Sequence, residues 1–309
     1  SIKGFTDQDG VTINKDYWLE PRHIIILGHN SKVKNIMKSY EGFRGEWEFK
    51  DGRGILDILA ICSEDDAEEY AKYNYVKTVT AGIYDKDIIC DNIKRFIKAN
   101  YKEGVSILIL SNENVTNENL DADTIASLVY IKEILDEITE NEKDEFPDFK
   151  PEKIDKVVEI INPKHYDVIN NYEINNIIIS NRYISKMITQ LGEQNSMFEF
   201  YRDLLTYDDA SGEEDTAFES KELYTKKVCR FFKSTKEGEE VHIRSTAEEL
   251  IRKVFNSTLE ESKTNKKITP SVVLGYVKFG GEMKLFGGDQ RDDFVDLSGE
   301  DKLIIFAAH

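Results

Sequence analysis

The residues of this 309-residue chain best placed to do chemistry are Gly28-His29-Asn30-Ser31. They follow the β-branched run 23–27 (HIIIL) and precede apolar residues at helical spacing, Val33, Ile36, Met37 and Tyr40. A strand–glycine–helix turn directs backbone N–H groups at a helix N-terminus, where an anion can bind. A dinucleotide turn of this kind uses three glycines: for the bend, for close approach of the pyrophosphate and for helix packing. Only Gly28 is present; Asn30 and Val33 stand in the other two places. The acidic residue that should close the second strand and take the ribose hydroxyls is also displaced, since that run ends in Cys62-Ser63 with Glu64 one step later. NAD is therefore not expected as a cofactor. His29 beside such a crevice could act as a base, but the sequence supplies no partner for it.

Two acidic stretches offer oxygen ligands. Asp85 and Asp87 follow the third apolar run, and Asp208, Asp209, Glu213, Glu214 and Asp215 crowd a later segment. Calcium takes several carboxylate and carbonyl oxygens, so Asp85 and Asp87 are the candidate Ca²⁺ ligands, although neither stretch has the alternating order of an EF-hand loop. The cofactor is otherwise unknown. His23, His165, His242 and His309 share no metal-site spacing. Neither G-x-S-x-G, G-x-x-x-x-G-K-[ST] nor H-E-x-x-H occurs.

These groups need a scaffold, and the apolar pattern describes one. Strands are expected at 23–27, 56–62, 76–81, 105–110, 156–161 and 176–179, and helices at 31–40, 63 onward, 87–99, 122–138, 163–172 and 182–207, the last with a break near Gly192. Near-continuous apolar strands alternating with helices predict an α/β, Rossmann-like, doubly wound parallel sheet. In such a sheet ligands bind beyond the strand C-termini at the switch point. The candidate crevice is thus Gly28, His29, Asn30, Ser31, Ser63, Glu64, Asp65, Gly82, Ser111 and Asn112. The sheet domain is expected over 22–207, an acidic linker (DDASGEEDTAFESK) over 208–221, and a smaller α+β subdomain over 222–309, with strands at 223–232, 241–243, 271–279 and 302–307 and a helix at 246–261. Phe198, Phe200, Tyr201, Leu204, Leu205 and Tyr207 form an aromatic and apolar stripe before the linker, fitted equally to a core or to a partner subunit.

The formal charge of −18 repels a phosphate backbone, so nucleic acid is not expected as a partner. Three scattered cysteines predict a reducing, cytoplasmic setting. No run reaches the roughly 18–20 apolar residues of a membrane span, and the start at Ser1 is that expected of a piece of a longer protein.

Several segments, in order, resemble the CASTOR/POLLUX family of ion-channel regulatory regions: 23–31 (HIIILGHNS), 177–193 (IIISNRYISKMITQLGE), 219–232 (ESKELYTKKVCRFF), 247–254, Val272-Val273-Leu274-Gly275-Tyr276, and 301–306 (DKLIIF), the last similar to the closing strand of TrkA C-terminal-type subdomains. Ser220-Lys221 departs from the family's Gly-Asn. The resemblance implies an RCK (regulator of conductance of K⁺) unit, non-enzymatic, assembling as a homo-oligomer, a dimer or a tetrameric gating ring. It would regulate a cation pore lying upstream in the parent chain or on a separate subunit. A degenerate NAD-dependent oxidoreductase and a peripheral TrkA-like potassium-uptake subunit are the alternatives.

Overall fold

The computed structural model describes residues 11–13, 23–41, 57–113, 121–170, 172, 176–194, 197–205, 221–234, 238–264, 270–288 and 290–308. In chain order the elements are β1 (Val11–Ile13), β2 (His23–Leu27), α1 (33–41), β3 (Ile58–Cys62), α2 (Ala67–Ala71), β4 (Val76–Thr80), α3 (Lys86–Asn100), β5 (Val105–Ile109), α4 (Ala122–Asn141), β6 (Asp155–Ile160), α5 (Tyr166–Asn170), β7 (Asn176–Ile179), α6 (Ser180–Glu193) and α7 (Met197–Leu205). Then follow β8 (Lys221–Lys227), α8 (Val228–Phe231), β9 (Phe232–Ser234), β10 (His242–Thr246), α9 (Ala247–Ser262), β11 (Ser271–Val277), β12 (Met283–Leu285), β13 (Phe294–Ser298) and β14 (Lys302–Ala308). The contacts divide the chain into two compact units, Leu19–Gln194 and Asn195–His309 with Ser1–Trp18.

The first unit holds a six-stranded sheet in the order β4-β3-β2-β5-β6-β7, every neighbouring pair parallel. This is the Rossmann-like order, with its switch point between β2 and β5. The side-chain alternation of a strand explains why both faces are covered. Ile25 and Leu27 enter one core with Ile89, Ile93 and Ile97 of α3 and Leu128, Ile131 and Leu135 of α4. Ile24 and Ile26 enter the other with Val33 and Met37 of α1 and Tyr70 of α2. The i, i+4, i+8 spacing in α3 puts one apolar stripe on the sheet. Its polar side is tied to α4 and the turn after it by Lys94 to Glu137 (2.5 Å) and Lys98 to Glu142 (2.6 Å).

The second unit is α+β. A four-stranded antiparallel sheet, β12-β11-β14-β8, packs Val273, Leu303 and Ile305 against Leu250 and Val254 of α9. Two-stranded pairs β1-β9 and β10-β13 complete it. A capping box starts α9: Thr246 Oγ1 accepts from Glu249 N, and Glu249 Oε2 accepts from Thr246 N, both at 3.2 Å.

The structure refines the expected elements. The helix of 182–207 is two helices, broken just after Gly192 at Gln194. The strand of 223–232 is interrupted by α8, and β1, β12 and β13 were not read from the sequence. The segment 208–220, most of the expected acidic linker, lies outside the described residues.

Candidate functional site

At the C-terminal ends of β2, β5 and β6 the chain makes one polar network across the switch point. Gly28 begins it. Its φ of +88° suits glycine, and a Cβ there would lie 2.9 Å from the carbonyl oxygen of Leu110. The chain then enters α1, whose buried Val33 and Met37 seat the helix on the sheet.

Asn30 is buried. Its Nδ2 donates to the Ser111 carbonyl oxygen at 3.0 Å and to Glu159 Oε2 at 2.8 Å, and its Oδ1 accepts from Lys32 N at 3.1 Å. Ser31 N, at the start of the α1 turn, donates to Glu113 Oε2 at 3.0 Å. Lys32 Nζ reaches Glu113 Oε1 and lies 3.1 Å from Glu159 Oε1. Glu159, only 4% exposed, also accepts from Ser111 N at 3.4 Å. A buried carboxylate is costly unless paired and hydrogen-bonded, and here an amide, a backbone N–H and an ammonium all serve it.

The electrostatics follow from these contacts. Lys32 first and then Ser31 donate to Glu113 and hold its carboxyl down at about 2. Burial opposes the charge on Lys32, but hydrogen bonds to Glu113 and Glu159 outweigh it and raise its pKa.

On the β3 side a second set ties the turns together. His29 Nδ1 is 3.1 Å from Asp66 Oδ1, Ser63 Oγ donates to Asp66 Oδ2 at 2.7 Å, and the Tyr70 hydroxyl donates to the Gly28 carbonyl at 2.7 Å. His29 also meets the Tyr70 ring edge-on at 5.8 Å. Burial, with smaller effects from Cys62 and Asp66, pushes the Tyr70 hydroxyl far above its ordinary value, so it stays protonated. The Cys62 thiol is pushed to about 11, by burial first and Asp66 second.

The structure thus joins Asn30, Ser31 and Ser111, and separately His29 and Ser63. Glu64 and Asp65 are exposed, and it is their neighbour Asp66 that reaches the turn. Asn112 Nδ2 lies 3.5 Å from Asp123 Oδ2, at the limit of a hydrogen bond. Gly82 is at the end of the edge strand β4, two strands from β2. Asp85 is exposed, and its Oδ2 accepts from Gly82 N at 2.7 Å, closing the turn before α3. Asp87 lies in the first turn of α3. Among the described residues no three His, Cys, Asp or Glu side chains converge on a point that could hold a metal ion, and the acidic segment 208–215 lies outside those residues.

Sequence reasoning missed Lys32, Glu113, Glu159 and Asp66. The signal for Glu159 was present: a glutamate inside the apolar run VVEII has to find a partner. Asp121 was missed too. It is fully buried at the start of α4, accepts from Ile161 N (3.0 Å) and Asn162 N (3.1 Å), and stands 2.7 Å from His165 Nδ1. It ties α4 to the end of β6.

No family model and no curated protein matches this chain. Among solved structures, one described as "GsuK Channel" aligns over 96% of this chain at 10% identity and a TM-score of 0.32, and one described as "GsuK channel bound to NAD" over 96% at 11% and 0.34. In both cases the match spans 38% of the channel chain's length. At these values the likeness adds nothing to the topology described above.

Proposed function

We propose that this chain is an RCK-type regulatory region of a cation channel or transporter, of the CASTOR/POLLUX kind, in which the switch-point crevice responds to an ion or small ligand. The observation that supports this reading is that five of the six family-like segments fall on elements of the kind the resemblance implies, while within the sixth, 219–232, the strand is interrupted by α8. Residues 23–31 form β2 and its turn, 177–193 run through β7 and α6, 247–254 lie in α9, Val272–Tyr276 lie in β11, and 301–306 form the turn into β14 and most of that strand. The crevice is compatible with sensing rather than turnover: its polar groups pair with one another, and His29 is engaged by Asp66. Among the described residues no helix is long and apolar enough to cross a membrane. In this reading, carried by the family resemblance, the pore lies elsewhere, in the parent chain or on a partner, and this region is cytosolic. A ligand acts by its differential affinity for two states of the assembled region.

The test is flux. The full-length gene product is purified, reconstituted in proteoliposomes and assayed for rubidium or potassium uptake, alone and after truncation at Gln194. A cation flux whose rate or ligand dependence changes on truncation is expected. Unchanged flux, together with NADH-dependent turnover by the purified region, would replace this reading with the oxidoreductase.

A further inference from the structure

The crevice has a feature that the count of glycines does not convey. In a dinucleotide turn the pyrophosphate takes up the first N–H groups of the helix and passes over the position of the second glycine. Here Ser31 N is taken by the carboxylate of Glu113, and Lys32 N by Oδ1 of Asn30. The Asn30 side chain occupies the second-glycine position and is anchored below by Ser111 O and Glu159. The Lys32 ammonium is shared between two carboxylates, Glu113 and Glu159. The hydroxyl of Ser111 is fully buried beside this cluster without a hydrogen-bond partner, so the site keeps one polar group unused.

We propose that Glu113 and Glu159 are specificity-determining residues that exclude phosphate-bearing ligands from the crevice. Glu113 acts as a tethered substitute for the phosphate at the start of α1, and Glu159 holds Lys32 and Asn30 in place beneath it. The ligand class the crevice admits is then neutral or cationic. This rests on reading the switch-point crevice as the ligand site. It does not depend on a channel role, which the flux experiment tests separately.

A phosphate entering the native site must displace Glu113 from Ser31 N and Lys32, and then lie near the charge of Glu159. Like charges brought together in this way oppose binding. Removing the two charges while keeping the side-chain shapes removes that opposition and leaves the Lys32 ammonium without its carboxylate partners, with Ser31 N facing only an uncharged amide oxygen.

The probes are inorganic pyrophosphate and NADH, titrated calorimetrically into the native chain, Glu113→Gln and Glu113→Gln/Glu159→Gln at fixed ionic strength. Circular dichroism and melting verify that each variant is folded. If Glu159→Gln does not fold, Glu113→Gln alone decides. The native chain is expected to show no saturable binding of either probe at millimolar concentration, and the variants to bind pyrophosphate about tenfold or more tightly. Adding Lys32→Met to Glu113→Gln should abolish the gain. Native binding of either probe as tight as in the variants overturns the proposal, as does a folded Glu113→Gln that gains no affinity.

Discussion

At the scale of single residues, Gly28 and Glu113 make the sharpest tests. Gly28 combines a positive φ with a close carbonyl neighbour, so an added Cβ meets both torsional strain and the Leu110 oxygen. Gly28→Ala should lower stability by about 2 kcal/mol or more, read from urea unfolding. For Glu113 the sign follows from its depressed pKa. A carboxyl held at about 2 in the folded chain, against an ordinary 4.5, stabilises fully above the ordinary value. That contribution is lost as the pH falls from there toward 2. The melting temperature should therefore fall more steeply over this window in the native chain than in Glu113→Gln. The side chain is about one-third exposed, which limits the difference. Much of the turn was legible from sequence, because a missing glycine is a fact about residue type. Its replacement contacts were not: Asn30 to Glu159 spans 129 positions, and no local pattern announces so distant a partner.

At the scale of elements, legibility followed length and periodicity. The six parallel strands, apolar throughout in β2 and β3 and broken by polar residues in β4 and β6, and the helical stripes of α3, α4 and α9 each stand where the pattern placed them within a few residues. The strand β12 is three residues long with Met283 and Leu285 exposed, so no pattern marks it, whereas β13 (FVDLS) buries Val295 and Leu297 in alternation and is only obscured by the exposed Phe294 at its start. Likewise α8 is a single turn inside a strand-like run, seated by burial of Val228 and Phe231. One turn in this unit is unusually dependent on a single residue. The buried Asp301 accepts from Ser298 N (2.8 Å), Phe279 N (2.9 Å) and Lys278 Nζ (3.1 Å), and these donors lower its pKa against the opposing effect of burial. Asp301→Ala leaves two backbone N–H groups and an ammonium without this acceptor and should cost about 2–4 kcal/mol in chemical unfolding. On α6, Tyr183, Ile184 and Ile188 are more than half exposed along one helical face. This is the face we expect to meet a second copy of the chain in the homo-oligomer that the family resemblance implies. Paired Ile184→Glu and Ile188→Glu should shift the chain toward monomer in sedimentation velocity, with unchanged circular dichroism.

At the scale of the whole molecule, charge and assembly are the properties to measure. We expect at least a dimer at micromolar concentration, from the family resemblance and the exposed α6 face; a sedimentation profile of pure monomer would count against both. Divalent cations give a second measurement. Because no three His, Cys, Asp or Glu side chains converge at Asp85 or elsewhere among the described residues, Ca²⁺ and Mg²⁺ should shift the melting temperature alike at matched ionic strength, as diffuse screening of a −18 chain does. A saturable shift specific to calcium, removed by Asp85→Asn with Asp87→Asn, would instead establish a metal site at the edge strand.

The hydrogen bonds that join Asn30, Ser31, Lys32, Glu113 and Glu159 also set a clock. A crevice already satisfied by its own side chains must open before anything can enter that part of it. On the proposal that this crevice is the ligand site, the open form is the minor population and apparent affinity is reduced by its fraction. In stopped-flow experiments the observed rate for a ligand that displaces these contacts should therefore level off as concentration rises, at the opening rate of the network. A ligand that binds without disturbing them would instead give a rate that keeps climbing in proportion to its concentration.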